Sequence, residues 1–579
     1  MVRLPHILAP TRRPFWASLL VSVLILVFLS GCGAGSAANS VFIASGSQSA
    51  APTQVKAGGT VVIDNVSGSL WTCNFNPYST STSSGQGLSA GVFYEPLYYI
   101  NALTGKQSPW LASGYYWSNG KKTLTFTIRS GVKWSDGKPL TAKDVAFTFN
   151  LLKKFSGLDL QAVWTVLSSV QQRGNTVVFK FQKPSVPFFY YIAGQNYILP
   201  EHIWSKVKNP VTDTNPKPVG SGPFLLSKCS PQDVIYVRNP HFWQAPKPYI
   251  DKVEYPAFLG NQAGNLYLAQ GQANYGGQYI PNVKTYYLAR DPVHRHIWYP
   301  PSADLGLWTN LKVWPLTILK VRQALSYGID RSLVSRLGVY GYLPPANQAG
   351  IVVPGAASWY DASQAAKYNY SYQPNKAMAL LRAAGFKRGA GGIWEQNGRK
   401  LSLTMINVSG FTDWIAEAAI VKQSLARIGI QINTRNLSGN DVTTREQQGH
   451  FQLAYGSGSL GAGPTPYYWY HQLLDSSLTA NIGQTATSNY DRYRSAATDR
   501  LLADFNTTTN PAVQHRIVDQ LQKVMLTQVP FVPLLEEVNW FQYDTSKLVG
   551  WPSASNPYAN PSPYNVPDWE VVLSSIHMK

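Results

Sequence analysis

The chain has 579 residues, enough at about 150 per domain for three or four domain-sized units with cores of their own. Only 13% of its residues are charged and 44% are hydrophobic, while 18 Trp, 34 Tyr and 22 Phe demand burial or a ligand, so a disordered polymer and a small cross-linked scaffold are both excluded. The formal charge of +20 is spread over single residues and pairs such as Lys121-Lys122 and Lys153-Lys154, a pattern that fits attraction to anionic lipid or cell-wall polymers and gives no reason to expect nucleic acid.

Arg3, Arg12 and Arg13 precede a nearly unbroken apolar stretch over residues 15–29, which is shorter than the roughly 20 residues a spanning helix needs. It ends in Leu29-Ser30-Gly31-Cys32, which resembles the lipobox of bacterial lipoproteins. That resemblance implies a signal peptide over 1–31 and lipidation of Cys32. Residues 32–56 are rich in Gly, Ala and Ser with no charge before Lys56, the composition of a flexible tether. The rest is expected to be an exported body, anchored at the outer face of the cell membrane, or in the periplasm if an outer membrane exists. In such an oxidising compartment Cys73 and Cys229 are either one disulfide or two separately buried thiols, and their spacing fits no metal site.

Within the body, Leu124, Phe126 and Ile128 alternate with Thr125, Thr127 and Arg129, predicting a half-buried strand. A turn follows at Ser135-Asp136-Gly137-Lys138-Pro139, and Thr141-Ala142-Lys143-Asp144 reads as a capping box opening a helix that carries Val145, Phe149 and Leu152. Helices are expected over residues 320–336, from Pro374 to a stop at Gly385, and over 416–428; strands are expected over 401–406 and after Gly429. The body is mixed α/β without an internal repeat in the roughly 20–50-residue range.

Motifs for covalent chemistry lack their context. Gly87-Leu88-Ser89-Ala90-Gly91 matches a nucleophile elbow, but a Ser/Thr/Gly-rich loop stands where the strand should be. His294 and His296 are two apart, a spacing that suits no ligand helix, so no metal or cofactor is expected. Glu536 and Glu537 are adjacent and would point to opposite faces of a strand, which argues against an acid/base pair. With no phosphate-binding loop, any ATP hydrolysis must come from a separate subunit.

The whole segment from Leu124 to Val145 closely resembles the signature of the family 5 extracellular solute-binding proteins, the dipeptide and oligopeptide receptors of ABC importers. Val219-Gly220-Ser221-Gly222-Pro223-Phe224, Arg238-Asn239-Pro240-His241-Phe242-Trp243, Val321-Arg322-Gln323-Ala324-Leu325-Ser326-Tyr327-Gly328-Ile329-Asp330-Arg331, and Asn489-Tyr490-Asp491 with Val529-Pro530-Phe531-Val532-Pro533-Leu534 are similar to further family segments. The resemblance implies a two-lobed periplasmic-binding-protein-like α/β fold of type II, in its large three-segment class. Lobe I would span 57–300 and 541–579 with an extra subdomain near 89–213, lobe II 301–540, and hinges would lie near 300 and 540. It further implies a monomer that performs no covalent chemistry, captures a peptide by lobe closure, and hands it to ABC permease subunits served by separate ATPase subunits.

One departure matters. Family peptide receptors neutralise the ligand's amino terminus with an aspartate in a stretch that here corresponds to residues 456–466, which contain no carboxylate. Another acid, such as Glu95 or Asp304, would have to replace it, because a buried unpaired ammonium costs several kcal/mol. The same stretch is followed by Tyr467, Tyr468, Trp469 and Tyr470, and aromatic faces suit sugar rings as well as peptides, so an oligosaccharide is the alternative ligand. The candidate ligand-binding residues are Trp71, Tyr78, Tyr94, Tyr275, Trp308, Gly456, Ser457, Gly458, Ser459, Trp469 and Trp551.

Overall fold

The alternating apolar residues at 124, 126 and 128 build strand Thr123–Ile128 of a four-stranded antiparallel sheet, ordered Ala112–Ser118, Thr123–Ile128, Thr176–Phe181, Leu167–Arg173. Thr125, read as outward-facing, is buried too, so the strand is covered on both faces at its centre. Helix Ala142–Lys154 packs beside this sheet and begins at the capping box: the Thr141 hydroxyl accepts from the Lys143 N–H, and the Asp144 carboxylate accepts from the Thr141 N–H at 2.9 Å. These contacts come from a computed structural model that describes residues 55–79, 89–353, 356–458 and 463–579. The signal segment, nearly all of the tether, Cys32 and Ser459 lie outside the described residues.

Two larger sheets carry most of the remaining strands. The first has seven strands in the order Arg295–Ile297, Gln542–Asp544, Tyr275–Gly276, Thr60–Asp64, Lys252–Pro256, Asp233–Arg238, Phe224–Cys229, with Thr60–Asp64 parallel to both of its neighbours. The second has five, ordered Gln431–Leu437, Ser402–Val408, Leu453–Ser457, Pro301–Thr309, Phe531–Val538. Its Ser402–Val408 strand is parallel to both neighbours, reached through helices Thr412–Arg427 and Gly439–Gln448, whereas its last two pairings are antiparallel. The architecture is a two-lobed α/β fold. Among the described residues no helix is long and apolar enough to cross a membrane.

Local chemistry sets several joints. Gly220 and Gly222 are required because a Cβ on either would run into the backbone of Val92 and Phe93, and the Gly222 N–H donates to Phe93 O at 3.0 Å. Cys73 and Cys229 form a disulfide with Cα atoms 5.9 Å apart across a sequence separation of 156. A loop that long contributes up to about 5 kcal/mol in the chain-entropy account. The helix expected over 320–336 is broken: Leu319–Gly328 ends, Ile329 is extended, and Asp330 caps a restart at Arg331 by accepting from the Leu333 N–H. A side chain that bonds the backbone ahead of it favours a new start over continuation.

Candidate functional site

The two large sheets are joined by residues 298–300 and 539–541, which run side by side. The Trp298 N–H donates to Phe541 O at 3.0 Å, the Asn539 N–H donates to Pro300 O at 2.8 Å, and the rings of Tyr299 and Trp540 lie 4.9 Å apart. Two further contacts bring the lobes together. At one, the Asn261 N–H donates to Gly410 O at 2.9 Å, and its side-chain amide donates to Thr412 Oγ1 at 3.2 Å and Asp413 Oδ1 at 3.0 Å. Gly410 permits this approach, since a Cβ there would overlap the Leu259 carbonyl. At the other, the Tyr468 hydroxyl donates to Pro187 O at 2.9 Å, the rings of Tyr190 and Tyr468 stand 4.6 Å apart, and the Tyr191 hydroxyl meets His471 Nδ1 at 3.2 Å. His471 Nε2 lies 3.3 Å from Asp475, whose carboxyl, although burial raises it, is held down to about 2 mainly by that histidine.

Beside the Asn261 contact and the strand connections lies the space between the lobes, where Glu537 and Tyr564 keep accessible surface. The facing wall is Gly456 and Ser457 at the end of strand Leu453–Ser457; a Cβ on Gly456 would stand 3.6 Å from the Trp414 ring and 3.7 Å from Glu446. Ser457 hydrogen-bonds Glu537. Asp413 and Glu417, one turn apart on helix Thr412–Arg427, turn their buried side chains to the same region.

No protein cation offsets this group among the described residues. Burial pushes the Asp413 carboxyl up to about 6 against the pull of nearby backbone N–H groups and Asn261. Burial likewise raises Glu537 to about 7, with Ser457 opposing and Asp413 adding, and raises Glu446 to about 8. Glu417 goes well above the carboxylate range through burial and then the charge of Asp413, which the Tyr455 hydroxyl only partly offsets. Among the described residues no group of three or more His, Cys, Asp and Glu is arranged for a metal ion.

The residues singled out from sequence divide. Gly456 and Ser457 border the space; Trp308 supports them from behind, its indole N–H donating to Ser457 O at 3.0 Å. The Gly458 N–H donates to Asp304 O at 2.7 Å, inside the five-stranded sheet. Trp469 packs on Tyr470 and Phe531 at 7% exposure. The remaining five aromatics are packed and bonded within the protein. Trp71 donates to Tyr255 O, Tyr78 to Tyr197 O, Tyr275 to Pro561 O and Trp551 to Leu548 O, while the Tyr94 hydroxyl accepts from Asn215 at 2.7 Å.

Neither suggested replacement acid reaches the space. Glu95 is fully buried under the Trp110 and Trp243 indoles, and Asp304 is fully buried opposite Glu536 in the strand register, close enough to Arg331 to feel its charge. Glu536 accepts from the Val353 N–H on that side, and Glu537 faces Ser457 on the other, as strand alternation requires. The acids that sequence reasoning did not name are Asp413 and Glu417, while Glu537 entered only as the neighbour of Glu536. Their one legible signal was the four-residue spacing of Asp413 and Glu417 on a helix, without a cation to match. A separate open groove of 220 Å³, lined by Tyr115, Trp117, Tyr190, Thr465, Tyr468 and Gln514 among others, lies at the tyrosine contact.

Comparison with known proteins agrees with this geometry. The family model for bacterial extracellular solute-binding proteins, family 5 Middle, matches residues 106–480. The oligopeptide-binding protein AppA of Bacillus subtilis is 26% identical over 547 residues, covering 90% of this chain and 93% of its own. Among solved structures, the mannohexaose-bound periplasmic oligopeptide-binding protein of Thermotoga maritima superposes with a TM-score of 0.83 at 25% identity, covering 90% of this chain and 98% of its own. AppA in complex with a nonapeptide gives 0.76 at 24% identity, covering 89% and 99%. With most of the chain matched by the family model and two lobes joined by a pair of adjacent strand connections, the chain belongs to the family 5 bacterial extracellular solute-binding proteins of ABC transporters.

Proposed function

We propose that this chain is the receptor of an ABC importer that captures dipeptides or oligopeptides by lobe closure and delivers them to a membrane permease, without covalent chemistry of its own. The observation that carries the reading is the pair of adjacent strand connections at 298–300 and 539–541, from which two lobes meet again at Asn261–Asp413 and Tyr191–His471. Two neighbouring crossings form a hinge, and contacts remote from it make a closed state that a ligand favours. The lobes of this reading are residues 57–300 with 541–579, and 301–540. Cys32 carries the lipid that holds the body at the outer face of the membrane, with 32–56 as tether.

A specific observation supports oligosaccharides as the second reading. The Thermotoga maritima relative holds mannohexaose, and residues 456–466 of this chain lack a carboxylate. A thermal-shift panel on the detergent-solubilised full chain separates the two, because a solute that binds the native state raises the melting temperature by mass action. Peptides raising it, with cello-, xylo- and malto-oligosaccharides inert, is the expected result. A shift with sugars alone replaces peptide by oligosaccharide, and no shift with either class contradicts the receptor reading.

A further inference from the structure

Lysines and arginines come singly or in pairs along the chain, yet half of their excess falls in one region. Residues 106–208, less than a fifth of the length, carry 14 Lys and Arg against four Asp and Glu, a surplus of ten out of the chain's +20. All four acids are already engaged. Asp144 caps helix Ala142–Lys154, Asp159 accepts from the Val163 and Trp164 N–H groups at 2.9 Å, Asp136 meets His202 at 2.7 Å, and Glu201 pairs with Lys143 at 2.8 Å.

The fold gathers six exposed lysines of this region at one end of the four-stranded sheet. Lys121 and Lys122 sit in the turn between strands Ala112–Ser118 and Thr123–Ile128. The Phe181 N–H donates to Lys122 O at 2.9 Å, which sets Lys180 and Lys183 beside that turn, and the Gln182 N–H donates to Val166 O at 3.0 Å, which brings in Trp164. The Lys153 ammonium lies 4.6 Å from the centre of the Trp164 ring, and Lys154, at the end of the same helix, lies 5.2 Å from that of Phe155. No salt bridge among the described residues involves any of the six.

A second feature accompanies the charge. Trp117, Phe155 and Trp164 at this end are only partly buried, and the Trp117 ring stands 5.3 Å from that of Phe181. Lysines around half-exposed aromatic rings suit a surface that is anionic outside and apolar beneath, because the rings settle at the level of lipid headgroups while the long lysine stems reach the phosphates. An inorganic polyanion would use the lysines alone.

We propose that this end of the small sheet docks on the anionic lipid surface of the membrane to which the chain is tethered, laying the receptor on the bilayer in one orientation. The inference rests on the lipid-anchored receptor reading above. As a flexible coil, residues 32–56 span about 25–30 Å root-mean-square. A tether of that reach makes docking an intramolecular event, so the modest attraction of each lysine to an anionic leaflet is enough when six act together.

The test is lysine footprinting, by amine acylation and mass spectrometry, on the full chain reconstituted in phosphatidylcholine vesicles with and without about 30% phosphatidylglycerol, at about 0.1 M and about 0.5 M salt. The expected result is that the six lysines react about threefold or more slowly on the anionic vesicles at the lower salt and recover at the higher. Lys312, Lys422 and Lys523 of the second lobe, each exposed, stay unchanged. In a triple variant, Lys122→Glu with Lys180→Glu and Lys183→Glu, the remaining Lys121, Lys153 and Lys154 lose their protection while the melting temperature in detergent holds. Equal reactivity on the two kinds of vesicle, or protection that extends over the second lobe, overturns the inference. Protection by soluble polyphosphate with none on vesicles also overturns it and makes a soluble polyanion the partner. Flotation with neutral vesicles at the higher salt reads the anchor separately: a chain that does not float contradicts the anchor, while its footprint on anionic vesicles at the lower salt still decides the docking.

Discussion

Two groups of buried acids in this molecule differ in what surrounds them. In the first lobe, Glu95 and Glu570 lie against each other, and the Trp110 indole donates to both, at 2.8 Å and 3.2 Å, while Trp243 donates to Glu95 at 2.9 Å and 3.1 Å. Burial raises both carboxyls, Glu95 to about 7, so the pair keeps a proton between them and is held by donors of the protein's own. In the second lobe, Asp413, Glu417 and Glu537 have no such shared frame. Asp413 is held by Asn261, Glu537 by Ser457 and Glu417 by the Tyr455 hydroxyl. Two indoles, one of them shared, tie the first pair into the fold, whereas no donor is shared among the acids of the second group.

Substitution should treat the two groups oppositely, and the larger effect belongs to the first. Glu95→Ala removes the acceptor of two buried indoles and leaves Glu570 alone. It should lower stability by about 3 kcal/mol in denaturant titration, as loss of a paired buried acid does. A loss below about 1 kcal/mol would erase the distinction.

The smaller effect has the other sign. Because the folded carboxyls of the second group titrate above their unfolded values, the folded state holds protons that the unfolded chain releases from about pH 4 upward, so stability falls as pH rises toward the folded pKa values of about 6 for Asp413 and about 7 for Glu537. Glu417→Gln removes one of those contributions. It should stabilise the empty protein by about 1–2 kcal/mol near pH 8, change little near pH 4, and flatten the dependence of melting temperature on pH between them. A destabilising Glu417→Gln would mean that the bond from the Tyr455 hydroxyl outweighs the cost of burying the charge.

The same contrast explains which parts of the molecule were legible in sequence. Strand Thr123–Ile128 and helix Ala142–Lys154 were readable because alternation and a capping box are local. The helix break at Ile329 was missed because Val321, Leu325 and Ile329 keep a helical spacing through it, and the competing signal is the single cap at Asp330. Aromatic side chains misled for a physical reason: Trp71, Tyr78, Tyr94, Tyr275 and Trp551 are large enough to fill cores, and each has a polar atom that found a partner inside. Asp413 and Glu417 are more than 100 residues from Glu537, so only the pairing of strands across the second sheet assembles them. The opposite orientation of Glu536 and Glu537, by contrast, followed from strand geometry alone.

The central claim is that the solute sits between the lobes, against Ser457 and Glu537. A crystal structure of the full chain loaded with the solute that stabilises it most tests this directly. The account predicts ligand density in contact with the Ser457 and Glu537 side chains, with the Asn261–Asp413 and Tyr191–His471 contacts formed around it. Density confined to the open groove lined by Tyr115, Trp117 and Tyr468, with the interlobe space filled by water, would contradict it.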